Sequence, residues 1–170
     1  MRSRGGGVLR IAAMAVLGTT LVWFGCFYLP LRWEREAVRD LVARGRAALL
    51  ASDFVRLGAI LEDPLEIPGE RQTVKLRKAQ IEKEWRGFFR HARITEIVVL
   101  KETTDVEVGA VRCRVKLRVR LRVDDSTLHV EAPQLFSGTL ELARQGTDSP
   151  WKIRAASFGK ASLTGDEDEG

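Results

Sequence analysis

Residues 111–123 read VRCRVKLRVRLRV, with a basic residue at every second position and apolar residues or Cys between them. A helix returns to the same face about every 3.6 residues and cannot segregate such a pattern, whereas a strand changes face at each residue. The stretch therefore predicts a half-buried antiparallel strand. Val111, Cys113, Val115, Leu117, Val119, Leu121 and Val123 form its inward set, and Arg112, Arg114, Lys116, Arg118, Arg120 and Arg122 face water. Two readings of the cations follow. In one they are a solvated face balanced by Glu96, Glu102, Glu131 and Glu141 on neighbouring strands, each cross-strand pair contributing roughly 0.2–1 kcal/mol. In the other they form a basic surface for anionic lipid or nucleic acid. The solvated face is the simpler reading, and charge there also deters edge-to-edge association.

Working outward, RITEIVVLKE precedes this strand and is rich in β-branched residues, as strands are. SGTLELARQ and WKIRAASF follow as further strands, with a turn at residues 146–150 between them and another short strand expected at residues 128–131. The sequence before Arg93 is helical instead. In WEREAVRDLVARGRAALLASD, Val38, Leu41, Val42, Leu49 and Leu50 recur at three- and four-residue steps. Ser52 or Asp53 is placed to cap a short second helix carrying Phe54, Leu57 and Leu61. Pro64 and Pro68-Gly69 read as a loop. A third helix is expected from Thr73 to His91, with Ile81, Trp85, Phe88 and Phe89 as its apolar stripe and Lys78–Glu82 and Glu82–Arg86 as four-apart ion pairs. Helices first and strands afterwards give an α+β class: about three helices covering one face of a curved antiparallel sheet.

The N-terminus has a different character. After a basic tail at residues 1–10 comes IAAMAVLGTTLVWFGCFYLPL, which opens at Ile11, closes at Leu31 and contains no charge. As a helix it would rise about 30 Å, enough to cross a bilayer core. Trp23, Phe24, Phe27 and Tyr28 gather at its far end like an interfacial belt, and Pro30 marks an expected stop or kink. A cleaved signal peptide would have a shorter core and a small-residue exit, and acylation at Cys26 would not suit the aromatic approach. The expectation is a single membrane anchor at residues 11–31, a domain at 32–160 and an acidic tail at 161–170. Arginines flank both ends of the anchor, so charge alone does not orient it. The layout of a signal anchor places the domain outside the cytoplasm, on a cell inner membrane.

Of the formal charge of +5, Arg2, Arg4 and Arg10 contribute +3, while the domain without its acidic tail would be near +6, which leaves room for a basic patch. Without Arg2, Arg4 and Arg10, 25 basic residues face 23 acidic ones, and four of the acids are Asp166, Glu167, Asp168 and Glu169. That excess is small for a nucleic-acid-binding domain. Of the two cysteines, Cys26 lies in the apolar run and Cys113 on the inward parity, so no disulfide framework and no metal spacing is expected.

Taken together, EREAVRDLVARGRAALLASDFVRLGAIL, IEKEWRGFFRHARITEIVVL, VRCRVKLRVRLRV and PWKIRAASF resemble the nuclear transport factor 2-like superfamily over residues 34–158. The resemblance implies a cystatin-like cone, in which a bent sheet wraps helices and often encloses a pocket. Members include ketosteroid-isomerase-like enzymes, binding domains and membrane-anchored assembly subunits.

Isomerase chemistry of that type needs a carboxylate base and a proton donor, commonly Tyr, at an apolar pocket. Tyr28 is the only tyrosine and lies in the apolar run. His129 shares parity with Glu131, His91 ends the third helix, and Asp53 is explained as a helix cap. Asp53, Phe54, Trp85, Phe88 and Phe89 remain candidates for lining a pocket. No phosphate loop, nucleophile elbow or metal cluster is present in the sequence, and no cofactor is expected. The expected function is a non-catalytic binding or assembly domain at a membrane, whose partner is itself or another envelope protein. The alternative is a carrier of small apolar ligands, or a degenerate isomerase or dehydratase.

Overall fold

The computed structural model describes residues 28–69, 72–107, 109–125 and 133–160, together with Thr20, Val22 and Cys26. The predicted tails, most of the predicted membrane span, the strand expected at residues 128–131, and His129 lie outside them. Among the described residues no helix is long and apolar enough to cross a membrane.

Among the described residues, three helices precede and interrupt a six-stranded mixed sheet: α1 (Leu29–Leu50), α2 (Phe54–Ile60), β1 (Leu61–Pro68), β2 (Thr73–Leu76), α3 (Lys78–Phe88), β3 (Ala92–Asp105), β4 (Arg112–Asp125), β5 (Gln134–Ala143) and β6 (Lys152–Lys160). The strand order is β2-β1-β6-β5-β4-β3. All neighbours are antiparallel except β1 and β6, which run parallel.

The helix α1 buries Val38, Leu41, Gly45 and Ala48, a stripe at three- and four-residue steps. Val38, Leu41 and Ala48 share one core with Val115, Leu117 and Val119 of β4 and with Leu140 and Leu142 of β5. Val115 is fully buried, while Arg112, Arg114, Lys116, Arg120 and Arg122 are exposed and Arg118 is half-buried. The alternation that opened the sequence reading therefore sets the two faces of the sheet. At Gly45 an added Cβ would sit 3.1 Å from Ile60 Cδ1, so the small residue lets α1 approach α2 closely.

Several expectations need correction. The sheet is mixed, because the proline-containing segment read as a loop is a strand that pairs with both β2 and β6. Pro64 falls where the β1–β6 register shifts and Pro68 ends the strand, positions where a missing N–H costs little. Thr73 consequently belongs to β2, and α3 starts at Lys78, where Gln80 Oε1 accepts the Arg77 N–H at 2.9 Å. Phe88 ends α3, and His91 lies in the following turn. Pro30 does not stop a helix; it sits in the first turn of α1, where its fixed φ is well suited. Val111 precedes β4 and is 48% exposed rather than inward. Glu102 was expected outward, but register shifts near Ile94/Glu96 and Val99/Lys101 change the parity of β3. Glu102 therefore stands opposite Leu117 on the core side and reaches Arg39 of α1 at 3.9 Å.

Candidate functional site

Three places gather side chains of interest. The first is a cleft of about 340 Å³ between α2, α3 and the start of β1. Phe54, Trp85, Ile81 and Leu61 supply its apolar wall, and Lys78 and Glu82 its charged rim. Phe89 stacks edge-on against Phe54 at 5.8 Å and against Phe88 at 5.1 Å, and Phe88 is 44% exposed. Arg86 lies 5.4 Å above the Phe54 ring and is held by Glu82. Asp53 does not line this cleft. Its Oδ1 accepts the Arg56 N–H at 3.0 Å, which makes it the N-cap of α2, and its other oxygen pairs with the Arg56 side chain at 3.2 Å. Phe54 and Trp85 thus share one cleft, Phe88 and Phe89 extend its aromatic margin, and Asp53 is committed elsewhere.

The second place is part-buried and was not found in the sequence. Glu34, on the second turn of α1, meets Arg144 beyond the end of β5. Arg144 Nη2 donates to Glu34 Oε1 at 2.6 Å, and Nη1 donates to Oε2 at 3.0 Å. Arg144 Nε donates to the Ala110 carbonyl and Nη1 to the Thr147 carbonyl, both at 2.8 Å. Trp151, 4% exposed, donates its indole N–H to Glu34 Oε2 at 3.2 Å, and its ring lies 4.4 Å from the Arg144 guanidinium. The planar fork of arginine suits two carboxylate oxygens at once. The cluster ties α1 to the two loops at one end of the sheet. A buried tryptophan needs an acceptor for its N–H, so Trp151 was the signal available in the sequence. Cys113 lies nearby on β4, 7% exposed. Burial pushes its thiol up to about 11, and the Glu34 carboxylate adds to the shift.

The third place is the outer face of β4. Arg114 pairs with Glu141 at 3.4 Å and Arg120 with Glu96 at 3.2 Å. Beside Arg112 and Arg114 is a hollow of about 490 Å³ in which Arg154, Asp105, Glu107 and Glu141 mix both signs of charge. Among the described residues no group of three metal-ligating side chains comes together.

No protein-family model and no curated protein sequence matches this chain. Solved structures do match it. A nuclear transport factor 2-like protein of unknown function in nutrient uptake from Rhodospirillum rubrum superposes with a TM-score of 0.59 at 16% identity, covering 74% of this chain and 98% of that one. A ketosteroid isomerase-like protein from Erwinia carotovora gives 0.59 at 14% identity, covering 75% and 95%. A protein from Kribbella flavida gives 0.61 at 14% identity, covering 78% and 93%. The fold is that of the nuclear transport factor 2-like and ketosteroid isomerase-like proteins, and identities this low establish the fold alone.

Proposed function

We propose that this chain, built on a nuclear transport factor 2-like fold, is a single-pass membrane protein. Its domain acts as a non-catalytic binding and assembly module at the membrane surface. The observation that carries the reading is the start of α1. Tyr28 already has right-handed helical angles (φ −70°, ψ −49°), no side chain caps the helix, and Leu29, Pro30 and Leu31 of the apolar run belong to it. The apolar run therefore leads into the first helix of the domain without a capped break. Tyr28 is 45% and Trp33 63% exposed, which suits amphipathic rings at a membrane interface. Glu34 then fixes that same end of α1 to the sheet, so that an anchor would hold the domain in one orientation.

The interior supports a non-catalytic role. Glu34 accepts hydrogen bonds at both oxygens from Arg144 and Trp151, and Asp53 is occupied as a cap. A carboxylate so engaged makes a poor general base. The domain is proposed to lie outside the cytoplasm, its partner being a second copy or another envelope protein. Reporter fusions after Gly170 test the orientation: activity of an exported reporter is expected, and activity of a cytoplasmic one contradicts it. Light scattering of the detergent-solubilised chain tests the assembly role. A discrete oligomer or a stable complex is expected, and a monomer that retains no envelope protein contradicts it.

The cleft beside Phe54 and Trp85 favours a second reading, a site for a small apolar ligand. Thermal-shift screening against apolar ligands, repeated on Trp85→Ala, tests it. A ligand that stabilises the wild type and not the variant supports it, and no stabilising ligand rules against it.

A further inference from the structure

Arg144 brings two distant parts of the chain to one level. Its Nη2 holds Glu34 of α1 at 2.6 Å, its Nε donates to the Ala110 carbonyl at 2.8 Å, and its backbone N–H donates to the Val111 carbonyl at 3.0 Å. The segment that enters β4 therefore lies beside the second turn of α1, at the end of the domain where the uncharged run arrives. That end is apolar where it meets water: Tyr28 is 45%, Trp33 63% and Val111 48% exposed. Gly109, at φ +72°, shapes the turn before Val111, and a Cβ added to it would meet nothing within 4 Å, so the turn faces open space among the described residues.

Leu31 is the last residue of the uncharged run, and Glu34 lies three helical residues further on, a rise of about 4.5 Å. The polar layer on each side of a bilayer core is about 5–7 Å deep. On a helix that leaves the core at Leu31, Glu34 and the Ala110–Val111 backbone beside it fall within that layer. A tilt of about 20° towards β4 brings Val111 nearer the hydrocarbon. Charge does not drive the approach, because exposed Arg32, Arg35 and Arg112 share this end with exposed Glu36, Glu107 and Asp148. The attraction comes from the apolar and aromatic side chains.

We infer that this end of the domain rests on the bilayer, with Val111 and the turn before it held in the lipid headgroup layer beside Trp33. The occupant is a lipid surface because the uncharged run, residues 11–31, continues into α1 and brings its membrane to this end. A single span leaves the tilt of the domain free, and a second contact sets it. The strand β4 then rises from the membrane, and its outer face points sideways towards partners in the same membrane. The inference rests on the membrane anchor proposed above and not on the assembly role.

Fluorescence quenching tests it, with the full chain in vesicles of phosphatidylethanolamine and phosphatidylglycerol that carry a headgroup nitroxide. A bimane label is attached through Val111→Cys, or through Val55→Cys on α2, each in a Cys26→Ser background. Val55 is 84% exposed and follows the far end of α1, whose 22 residues span about 33 Å. The background protein corrects for label at Cys113, which is 7% exposed. The expected result is quenching severalfold stronger at position 111 than at position 55, unchanged at about 1 M salt. Equal quenching at both positions in protein that floats with the vesicles overturns the docking and leaves the anchor standing. Protein that does not float with them overturns the anchor reading and this inference with it. A difference that vanishes in salt contradicts an apolar contact. Should Val111→Cys fail to fold, Glu107→Cys on the same turn takes its place, with the same outcomes.

Discussion

The junction of Glu34, Arg144 and Trp151 and the outer face of β4 handle charge in opposite ways. At the junction one acid and one base are part-buried, with side chains 16% and 5% exposed, and Glu34 accepts three hydrogen bonds at its two oxygens. On the outer face six cations stand along one strand, and those with partners at 3.4 and 3.2 Å, Arg114 with Glu141 and Arg120 with Glu96, keep side chains 60% and 45% exposed. Removing half of a buried pair leaves a charge with no water to solvate it, whereas a surface cation that loses its partner is simply hydrated. Counting charges would rank the outer face first. Solvation ranks the junction first.

The largest expected effect breaks the junction. Glu34→Ala leaves the Arg144 guanidinium buried without its carboxylate and should lower stability by about 3–5 kcal/mol in denaturant unfolding. A loss below about 1 kcal/mol would place this pair with the surface ones.

Next comes the thiol beside it. In the folded state Cys113 titrates at about 11, against an ordinary value of 9.0. The unfolded chain ionises first, so this contribution is fully present below about pH 9 and is lost as pH rises towards about 11. The loss amounts to about 2–3 kcal/mol, and Cys113→Val should remove that part of the alkaline sensitivity. Identical pH profiles for the two proteins would show that the pocket does not hold the thiol neutral.

A smaller effect is expected at Gly138, on the inner side of β5 opposite Leu117. A Cβ there would collide with the Phe158 ring and the Ser157 carbonyl, so Gly138→Ala should cost about 1–3 kcal/mol. The smallest is at the outer face. Glu96→Ala removes the partner of Arg120 and should shift stability by less than about 1 kcal/mol, and less still in high salt.

The sequence made the β4 faces legible because alternation over many residues has one structural solution. Helix α1 and the Asp53 cap were legible for the same kind of local reason. Elements that depend on partners far along the chain were not. Pro64 and Pro68 spoke for a loop, and pairing with β2 and with β6, the latter some ninety residues later, makes that segment a strand. Register shifts reversed the side on which Glu102 lies, since a strand's parity can be counted from its sequence only while its ladder is regular. Of the candidate site, the aromatic residues were visible as a helical stripe, while the cleft they line depends on how α2 meets α3. The junction escaped altogether, because Glu34 and Arg144 are 110 residues apart and each resembles an ordinary surface charge.

The central claim is that one part-buried carboxylate–guanidinium contact secures α1 to the sheet. A double-mutant cycle on Glu34→Ala and Arg144→Ala, read by denaturant unfolding of the full chain, measures that contact directly. The account expects a coupling of about 2 kcal/mol or more, with the double variant much less destabilised than the sum of the singles. Additive losses, with a coupling below about 0.5 kcal/mol, would contradict it.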